Sequence, residues 1–157
     1  MTDKILRIYL DNCCYNRPYD DQSQIIVSLE AQAKIFIQNA IRQDKIELAS
    51  SFVLRHENNN NPFDNKRKNI SDFLEKNVSI FIAADRKDEV RNIAAEIIST
   101  GVKNFDAAHI ACAILANCDY FLTTDKRVLK FRSDKIQIVN PVDFVKILEV
   151  AENVQHN

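Results

Sequence analysis

The chain of 157 residues contains a single glycine, Gly101. Several glycines are needed in the phosphate-binding loop of nucleotide hydrolases and in the dinucleotide-binding fingerprint, because the backbone must approach a phosphate closely. Neither motif is therefore present. A protein of this sequence that handles phosphates must do so by another device.

Long apolar runs and an excess of one charge are lacking as well. Nowhere do 18 uncharged apolar residues follow one another, and the apolar run near the N-terminus is too short for the core of a signal peptide. We therefore expect a cytoplasmic protein that does not bind membranes. The formal net charge of -1 gives no global positive field, so a polyanion would have to be bound by local positive patches or by metal ions.

Cysteine pairs at zinc-binding spacing are also missing. The four cysteines, at positions 13, 14, 112 and 118, match none of the spacings of structural zinc sites. In a cytosolic protein they are most simply reduced, partly buried small hydrophobic residues. A reactive thiol at Cys13 or Cys14 is the alternative interpretation.

The composition is that of a folded chain. Hydrophobic residues make up 46% and charged residues 27%, as in ordinary globular proteins, and the length is that of one domain. We expect a single domain over residues 1–150 and a flexible C-terminal tail over residues 151–157.

Predicted strands alternate with predicted helices along the chain. Apolar runs predict strands at residues 5–10, 45–50, 78–84, 119–124 and 136–139. Helical periodicity and capping residues predict helices at residues 23–42, from Ser50 or Ser51, from about residue 62, at 85–100, at 104–118 and from about residue 141. Residues 16–24 have the composition of a polar loop. This alternation predicts an α/β fold, a three-layer α/β/α sandwich with a central, mainly parallel sheet.

Three acids follow strands or begin a helix at the edge of the sheet where ligands bind. Asp11 ends the first strand, Asp125 follows the fourth, and Asp106 lies in the first turn of a buried helix. Carboxylates brought together at low dielectric repel one another, and a divalent cation removes that cost. Oxygen ligands of this kind favour Mg²⁺ or Mn²⁺.

Glu57 is a fourth candidate, because it shares the apolar stripe of a short helix with Val53 and Leu54 and lies near the helix C-terminus, where an acid is unfavourable. Violations of local rules of this kind tend to mark function. The other three acids also have ordinary explanations. Asp11 can cap the turn after it, Asp106 can be a first-turn helix acid, and Asp125 can form an Asx-turn.

The segments IYLDNCCYNRP, SSFVLRHENNNNP and FDAAHIACAILANCDYFLTTD resemble the PIN-domain family of small metal-dependent ribonucleases, over about residues 4–148. The resemblance implies a PIN-like fold that hydrolyses RNA phosphodiesters with Mg²⁺ or Mn²⁺. By motif, the metal-binding and catalytic acids are Asp11, Glu57, Asp106 and Asp125, with Glu30 as the alternative second acid. Glu30 is otherwise a solvated glutamate on a helix face.

The resemblance also implies partners. Many similar proteins are toxins of type II toxin-antitoxin pairs, inhibited by a small antitoxin protein, and many form homodimers. The loop at residues 11–21 and the long first helix depart from the shorter toxins. This difference affects the toxin role more than the nuclease role.

Further side chains are candidates for contacts with RNA or for support of the acids. The hydroxyl of Thr124, one residue before the last acid, matches a threonine often found in the family. Near the same edge, cations, aromatic rings and an amide are candidates for binding RNA: Asn12, Tyr15, Arg17, Tyr19, Arg55, Lys126 and Arg127. Each of them can equally be ordinary surface. His109, one turn after Asp106, can orient that acid, contact substrate, or be a buried histidine without catalytic duty.

Two other classes of protein remain open. A catalytically silent PIN-fold module that binds RNA or protein would have the same fold, although the intact acids argue against it. A phosphoaspartyl enzyme or receiver domain would also place Asp11 at a strand end. The second acid expected beside that nucleophile is missing from the sequence DNC.

Overall fold

The structure, a computed structural model, describes residues 4–156 of the chain and the side chains of residues 4–152. Its centre is one sheet of five parallel strands in the order β3-β2-β1-β4-β5. The strands are β1 (Arg7–Leu10), β2 (Glu47–Ser51), β3 (Val78–Ile82), β4 (Tyr120–Leu122) and β5 (Gln137–Val139). Helices flank this sheet, so the predicted α/β fold is confirmed.

Eight α-helices connect and cover the strands in the described part of the chain. They are α1 (Asn12–Asn16), α2 (Ile25–Arg42), α3 (Phe52–Asn59), α4 (Asp64–Asn77), α5 (Lys87–Ile98), α6 (Asn104–Leu115), α7 (Lys126–Leu129) and α8 (Pro141–His156). Helix α2 packs against α8, and α5 packs against α6, which in turn contacts β2 and β4.

Strand β1 is the middle strand, and this position explains its apolar sequence. Ile8, Tyr9 and Leu10 are completely buried, because a central parallel strand is covered by helices on both faces. Leu10 pairs with Leu122 of β4, and the next backbone N–H, that of Asp11, donates to the Leu122 carbonyl at 2.9 Å. The carboxyl end of β1 therefore lies beside the carboxyl end of β4.

Two predicted helix starts are wrong by about two residues. Helix α2 begins at Ile25, because Ser23 directs its hydroxyl and its N–H to the carboxylate of Asp21 and does not cap the helix. Helix α4 begins at Asp64, because Asn61 accepts from the Phe63 N–H in a turn that precedes the helix. The start at Pro141 is confirmed, and the side-chain oxygen of Asn140 accepts from the Val142 N–H.

The predicted polar loop at residues 16–24 is only partly correct. Helix α1 follows Asp11 directly, and a 3-10 turn, Arg17–Tyr19, continues from it. The buried helix α6 ends at Leu115, three residues earlier than predicted, because Asn117 has a positive φ of 57° that turns the chain away. The short helix α7 was not predicted.

The predicted C-terminal tail, residues 151–157, is partly helical. Helix α8 continues to His156, whereas Asn157 lies outside the described residues. Within residues 4–156 no helix is long and apolar enough to cross a membrane.

Candidate metal centre at the carboxyl edge of the sheet

Asp11 lies where β1 ends, and its carboxylate is nearly enclosed, with the residue 7% exposed. One oxygen, Oδ1, accepts from the Asn12 N–H at 2.8 Å and so caps α1. The other, Oδ2, accepts from the Thr123 hydroxyl at 2.9 Å. The capping explanation for this acid is therefore correct, but it accounts for only one of the two oxygens.

Glu57 and His109 complete a compact group with Asp11. Glu57 is on α3 and half-buried, and His109 is on α6 and only 1% exposed. The His109 Nε2 atom lies 3.4 Å from Glu57 Oε2. One ligand atom from each of the three residues lies within 4.8 Å of the others, so this group could hold a metal ion.

A buried chain of hydrogen bonds orients the imidazole of His109. Its Nδ1 atom lies 2.8 Å from the Tyr9 hydroxyl, which lies 2.7 Å from the Ser51 hydroxyl. Ser51 also accepts from the Leu54 N–H and so caps α3, the helix that carries Glu57. If the Tyr9 hydroxyl donates to Nδ1, a neutral imidazole has its proton on Nε2, facing Glu57. His109 is thus a buried, hydrogen-bonded histidine, as one of its three predicted roles had it, and the acid that it contacts is Glu57 and not Asp106.

Asp106 and Asp125 lie outside that closest group but within its electrostatic reach. Burial raises the pKa of the Asp106 carboxyl, and the charges of Asp11 and Asp125 raise it further. Burial likewise raises the pKa of Asp11, against the lowering effect of His109 and of the Thr123 hydrogen bond. The acids are therefore crowded in a poorly solvated place, where a cation would favour their charged forms.

Asp125 is the N-cap of α7, because its Oδ1 atom accepts from the Arg127 N–H at 2.9 Å. The Arg127 guanidinium lies 3.7 Å from the same oxygen. The Asx-turn explanation of this acid is thus correct as well. Its second oxygen, Oδ2, has no hydrogen bond among the described residues and is available to a ligand.

The hydroxyl that contacts Asp11 belongs to Thr123, a residue that the sequence motif did not indicate, whereas Thr124 stays a predicted substrate contact. Thr123 is completely buried, and its oxygen also accepts from the Asp125 N–H. The Thr124 backbone N–H donates instead to the sulfur of Cys13 at 3.3 Å. The strand register would have indicated Thr123. Because Leu10 pairs with Leu122, the residues that follow them, Asp11 and Thr123, must be neighbours.

Cys13 is the member of the cysteine set that reaches this centre. All four cysteines are free thiols, and three are buried. Cys13 is partly exposed, and its sulfur lies 3.6 Å from Asp11 Oδ2 and 3.4 Å from the Thr123 hydroxyl. A hydrogen bond from Cys14 lowers the pKa of Cys13. The interpretation as reduced small residues is correct for the set, and Cys13 additionally lines the site.

The donors that are present fit a divalent cation. They comprise the carboxylates of Asp11 and Glu57 and the imidazole of His109. The side-chain oxygen of Asn12, the residue after Asp11, is buried without a hydrogen-bond partner among the described residues. Amide and carboxylate oxygens are ligands of Mg²⁺ and Mn²⁺, and an imidazole is compatible with Mn²⁺. Asn12 stays a predicted substrate contact.

Glu30 lies elsewhere, and the prediction that it is solvated is wrong. Its residue is 3% exposed on α2, and its carboxylate accepts from the Arg17 guanidinium at 2.9 Å and from the Asn140 amide. Arg17 also pairs with Asp20 at 3.1 Å. The structure therefore brings Glu57, and not Glu30, to Asp11. Arg17, predicted to bind RNA, is paired with the carboxylates of Glu30 and Asp20, which compensate much of its charge.

The remaining residues that were predicted to contact RNA differ in their exposure and in their contacts. Tyr15 is completely buried, so its prediction as a surface contact is wrong. Lys126 and Tyr19 are exposed, and Tyr19 lies under the ammonium of Lys66 at 5.2 Å. The guanidinium of Arg55 stacks over the ring of Phe81 at 4.3 Å.

Comparison with known proteins gives a similarity of fold. No protein-family model matches the sequence, and no curated protein matches it. Among solved structures, the chain is similar to a chain in the crystal structure of VapBC2 from Rickettsia felis bound to a DNA fragment from their promoter. The TM-score is 0.53 at 14% identity, and the likeness covers 86% of this chain and 98% of that chain.

Proposed function

We propose that this protein is a Mg²⁺- or Mn²⁺-dependent endoribonuclease of the PIN type, which hydrolyses RNA phosphodiesters. The metal-binding and catalytic acids of the proposal are Asp11, Glu57, Asp106 and Asp125. The observation that carries it is the convergence of Asp11, Glu57 and His109 within 4.8 Å at the carboxyl edge of a parallel sheet. The charges of Asp11 and Asp125 add to the effect of burial in raising the pKa of Asp106, which supports the inclusion of the two remaining acids.

In this proposal the chain's own residues hold and orient the reacting groups. A bound divalent cation would neutralise phosphate charge and make water more acidic. Asp11 and Glu57 would be its direct ligands, with Asp106 and Asp125 completing the site. Thr123 and the backbone at Asn12 hold the Asp11 carboxylate in place, and His109 positions Glu57. Fixed ligands of this kind avoid reorganisation during the reaction.

A groove beside Asp106 is suited to the RNA backbone. It is a cavity of about 330 Å³ between the start of α6 and the region of α7. Its lining includes four basic residues, Lys103, Arg127, Lys130 and Arg132. All four are exposed, and they form a local positive patch on a chain whose formal net charge is -1. Phosphates of a bound strand would follow this basic groove toward the acids.

A protein partner is a further part of the proposal. The family resemblance suggests a toxin of a type II pair with a small antitoxin and a homodimeric arrangement, and the similar solved structure is itself a complex, VapBC2. A short reading frame beside the gene should encode a protein that binds this chain and suppresses its cleavage of RNA. Absence of inhibition by that product would remove the toxin role and leave the nuclease proposal intact.

The nuclease proposal is tested with purified full-length protein and a pool of RNA substrates in Mn²⁺, in Mg²⁺ and in EDTA. We expect cleavage with either cation and none in EDTA. Asp11→Asn and Asp106→Asn should each lower the cleavage rate by about 100-fold or more, because each removes a charged ligand. Asp134→Asn is the matched control, since Asp134 is exposed and precedes β5 at the opposite edge of the sheet.

The outcomes separate the two classes of function. Folded protein that binds RNA but cleaves none with either cation would support the silent binding module. Cleavage that persists unchanged in both Asp→Asn variants, with circular dichroism like that of the parent protein, would overturn the assignment of the acids.

A further inference from the structure

Lys34 is a buried cation without an acidic partner. It lies in the middle of α2, and the residue is only 6% exposed. Its ammonium donates to the Gln38 side-chain oxygen at 2.9 Å, and among the described residues no carboxylate lies within ion-pairing distance of it. An ammonium has three N–H donors, so two of them have no oxygen acceptor here. Buried charges are usually paired, because their desolvation is costly.

Two aromatic rings compensate the Lys34 charge only in part. The ammonium lies 5.5 Å from the centre of the Tyr15 ring and 5.7 Å from that of Phe73. Contacts with ring faces at such distances are favourable but weak. Burial lowers the pKa of Lys34 to about 8, the Cys14 thiol opposes this shift, and the nearby Arg42 reinforces it. The environment therefore lacks negative charge.

Lys34 is one of the residues that line a cavity of about 430 Å³ between α2 and α4. Two exposed cations, Arg42 and Lys76, also line this cavity, whereas Asp72 is the one carboxylate among its lining residues. Tyr15 lines it as well, and the buried Tyr15 hydroxyl has no hydrogen-bond partner among the described residues. Cavities of a few hundred cubic ångströms with a few convergent polar groups are typical of small-molecule sites.

We propose that this cavity, the Lys34 cavity, binds the phosphate group of a phosphate monoester. Three cations and one carboxylate line the cavity, and this excess of positive charge favours the binding of a dianion. The N–H groups of Lys34 that have no acceptor can donate hydrogen bonds to phosphate oxygens. The volume exceeds that of a phosphate alone, and the exposed ring of Tyr19 gives the rest of a mononucleotide an apolar wall. None of the lining residues belongs to the candidate metal centre, so this site is independent of the proposed function.

The test is isothermal titration calorimetry of the full chain at pH 7 in EDTA, which keeps metal ions out of the acid cluster. The probes are inorganic phosphate, adenosine 5′-monophosphate and adenosine. We expect saturable binding of the first two and none of adenosine. Lys34→Met should weaken binding at least about tenfold, the effect expected when one charge-assisted hydrogen bond is removed. Lys87→Met, at an exposed site on α5, should bind like the parent protein.

A second variant and a second ligand complete the design. Arg42→Gln, at an exposed position of α2, should also weaken binding and does not depend on the folding of Lys34→Met. An RNA oligonucleotide with a 5′-phosphate, compared with its 5′-hydroxyl form, shows whether the phosphate belongs to an RNA end or to a free nucleotide. Asp11→Asn should bind phosphate normally, which separates this site from the nuclease proposal.

Two results would overturn the proposal. One is the absence of saturable phosphate binding by the parent protein at millimolar concentration. The other is undiminished affinity in both Lys34→Met and Arg42→Gln. Either result would assign Lys34 a purely structural role between the Tyr15 and Phe73 rings.

Discussion

Tyr9 is a buried residue that does not contact the carboxylate oxygens of Asp11 or Glu57, and yet it governs their geometry. Its hydroxyl joins Ser51, at the start of the helix that carries Glu57, to His109, which contacts Glu57. The position of Glu57 is thus set from both sides by one network. Networks of this kind, in which each polar group is satisfied, restrict the rotamers of their members.

We predict that Tyr9→Phe weakens Mn²⁺ binding by about tenfold, the lower end of the effect found when hydrogen-bond partners of ligands are removed. The ring remains stacked on Phe121, so the core packing is retained. Calorimetric titration of Mn²⁺ into both proteins measures the effect. Tyr120→Phe, whose ring packs against Phe144 outside the network, is the control. Equal Mn²⁺ affinity in Tyr9→Phe and the parent protein would show that His109 does not position Glu57.

Individual residues were predictable where their role follows from the end of an element. Asp11, Asp106 and Asp125 all lie at the predicted edge, because strand ends and helix starts can be inferred from apolar patterns. The link between Tyr9 and His109 joins positions 100 residues apart, and local patterns contain no information about it. The burial of Tyr15 was missed for the same reason, since it results from the packing of α1 against other elements.

Gly101 acts at the scale of an element, because it ends the turn after α5. Its φ of 107° is a conformation that residues with a side chain rarely adopt. A Cβ atom added there would meet nothing within 4 Å, so the requirement for glycine comes from the backbone alone. The only glycine of the sequence therefore serves the fold.

We predict that Gly101→Ala lowers the free energy of unfolding by about 1 kcal/mol, the usual cost of placing a side chain at positive φ. Urea unfolding followed by circular dichroism measures it. Asn117→Gly is the matched variant, because Asn117 also has a positive φ, of 57°, and should be destabilised little or not at all. If Gly101→Ala were as stable as the parent protein, the turn would have to adopt another conformation.

Whether a helix could be predicted from the sequence depended on its length. The long periodic helices α2, α5 and α6 were found, with each end displaced by at most three residues. Helices α1 and α7 have only five and four residues, which is too short for periodicity to show. Both arise from acids at strand ends that cap the next turn. Local capping and the candidate metal centre therefore use the same carboxylates.

At the scale of the whole molecule, the basic groove and the candidate acids share one residue, Asp106, which lines the groove. The groove beside Asp106 contains Lys103 and Lys130, which lie apart from the hydrogen bonds that hold the acids. With a net charge of -1 the chain has no global positive field, so RNA binding under the nuclease proposal would depend on a local positive patch of this kind. These two lysines are therefore suited to test substrate binding separately from chemistry.

Given the nuclease proposal, we predict that Lys103→Gln/Lys130→Gln raises KM for RNA several-fold and changes kcat by less than about twofold, because phosphate contacts bind without reacting. The salt dependence of binding should flatten by roughly 0.7 in the log–log slope for each phosphate that a lysine no longer neutralises. Lys68→Gln/Lys87→Gln removes the same charge from exposed positions of α4 and α5. An equal effect of both double variants would mean that only net charge matters.

The global arrangement was predictable in class and less so in detail. Alternating strands and helices determine a parallel sheet, since crossovers between successive strands are right-handed. The strand order with β1 in the middle depends on which apolar faces pack together, and this is a property of the assembled core. Once the order is known, the neighbours of Asp11 follow from the register.

Because β1 is the central strand, residues of the candidate site that are neighbours in space are far apart in the sequence. Asp11 is synthesised before its hydrogen-bond partner Thr123, which follows 112 residues later, and before Asp106 and Asp125. A nascent chain that has not yet released β4 from the ribosome has an isolated carboxylate at this place and no assembled acid cluster. Given the nuclease proposal, no RNA cleavage is expected before Asp106, Thr123 and Asp125 have all been synthesised.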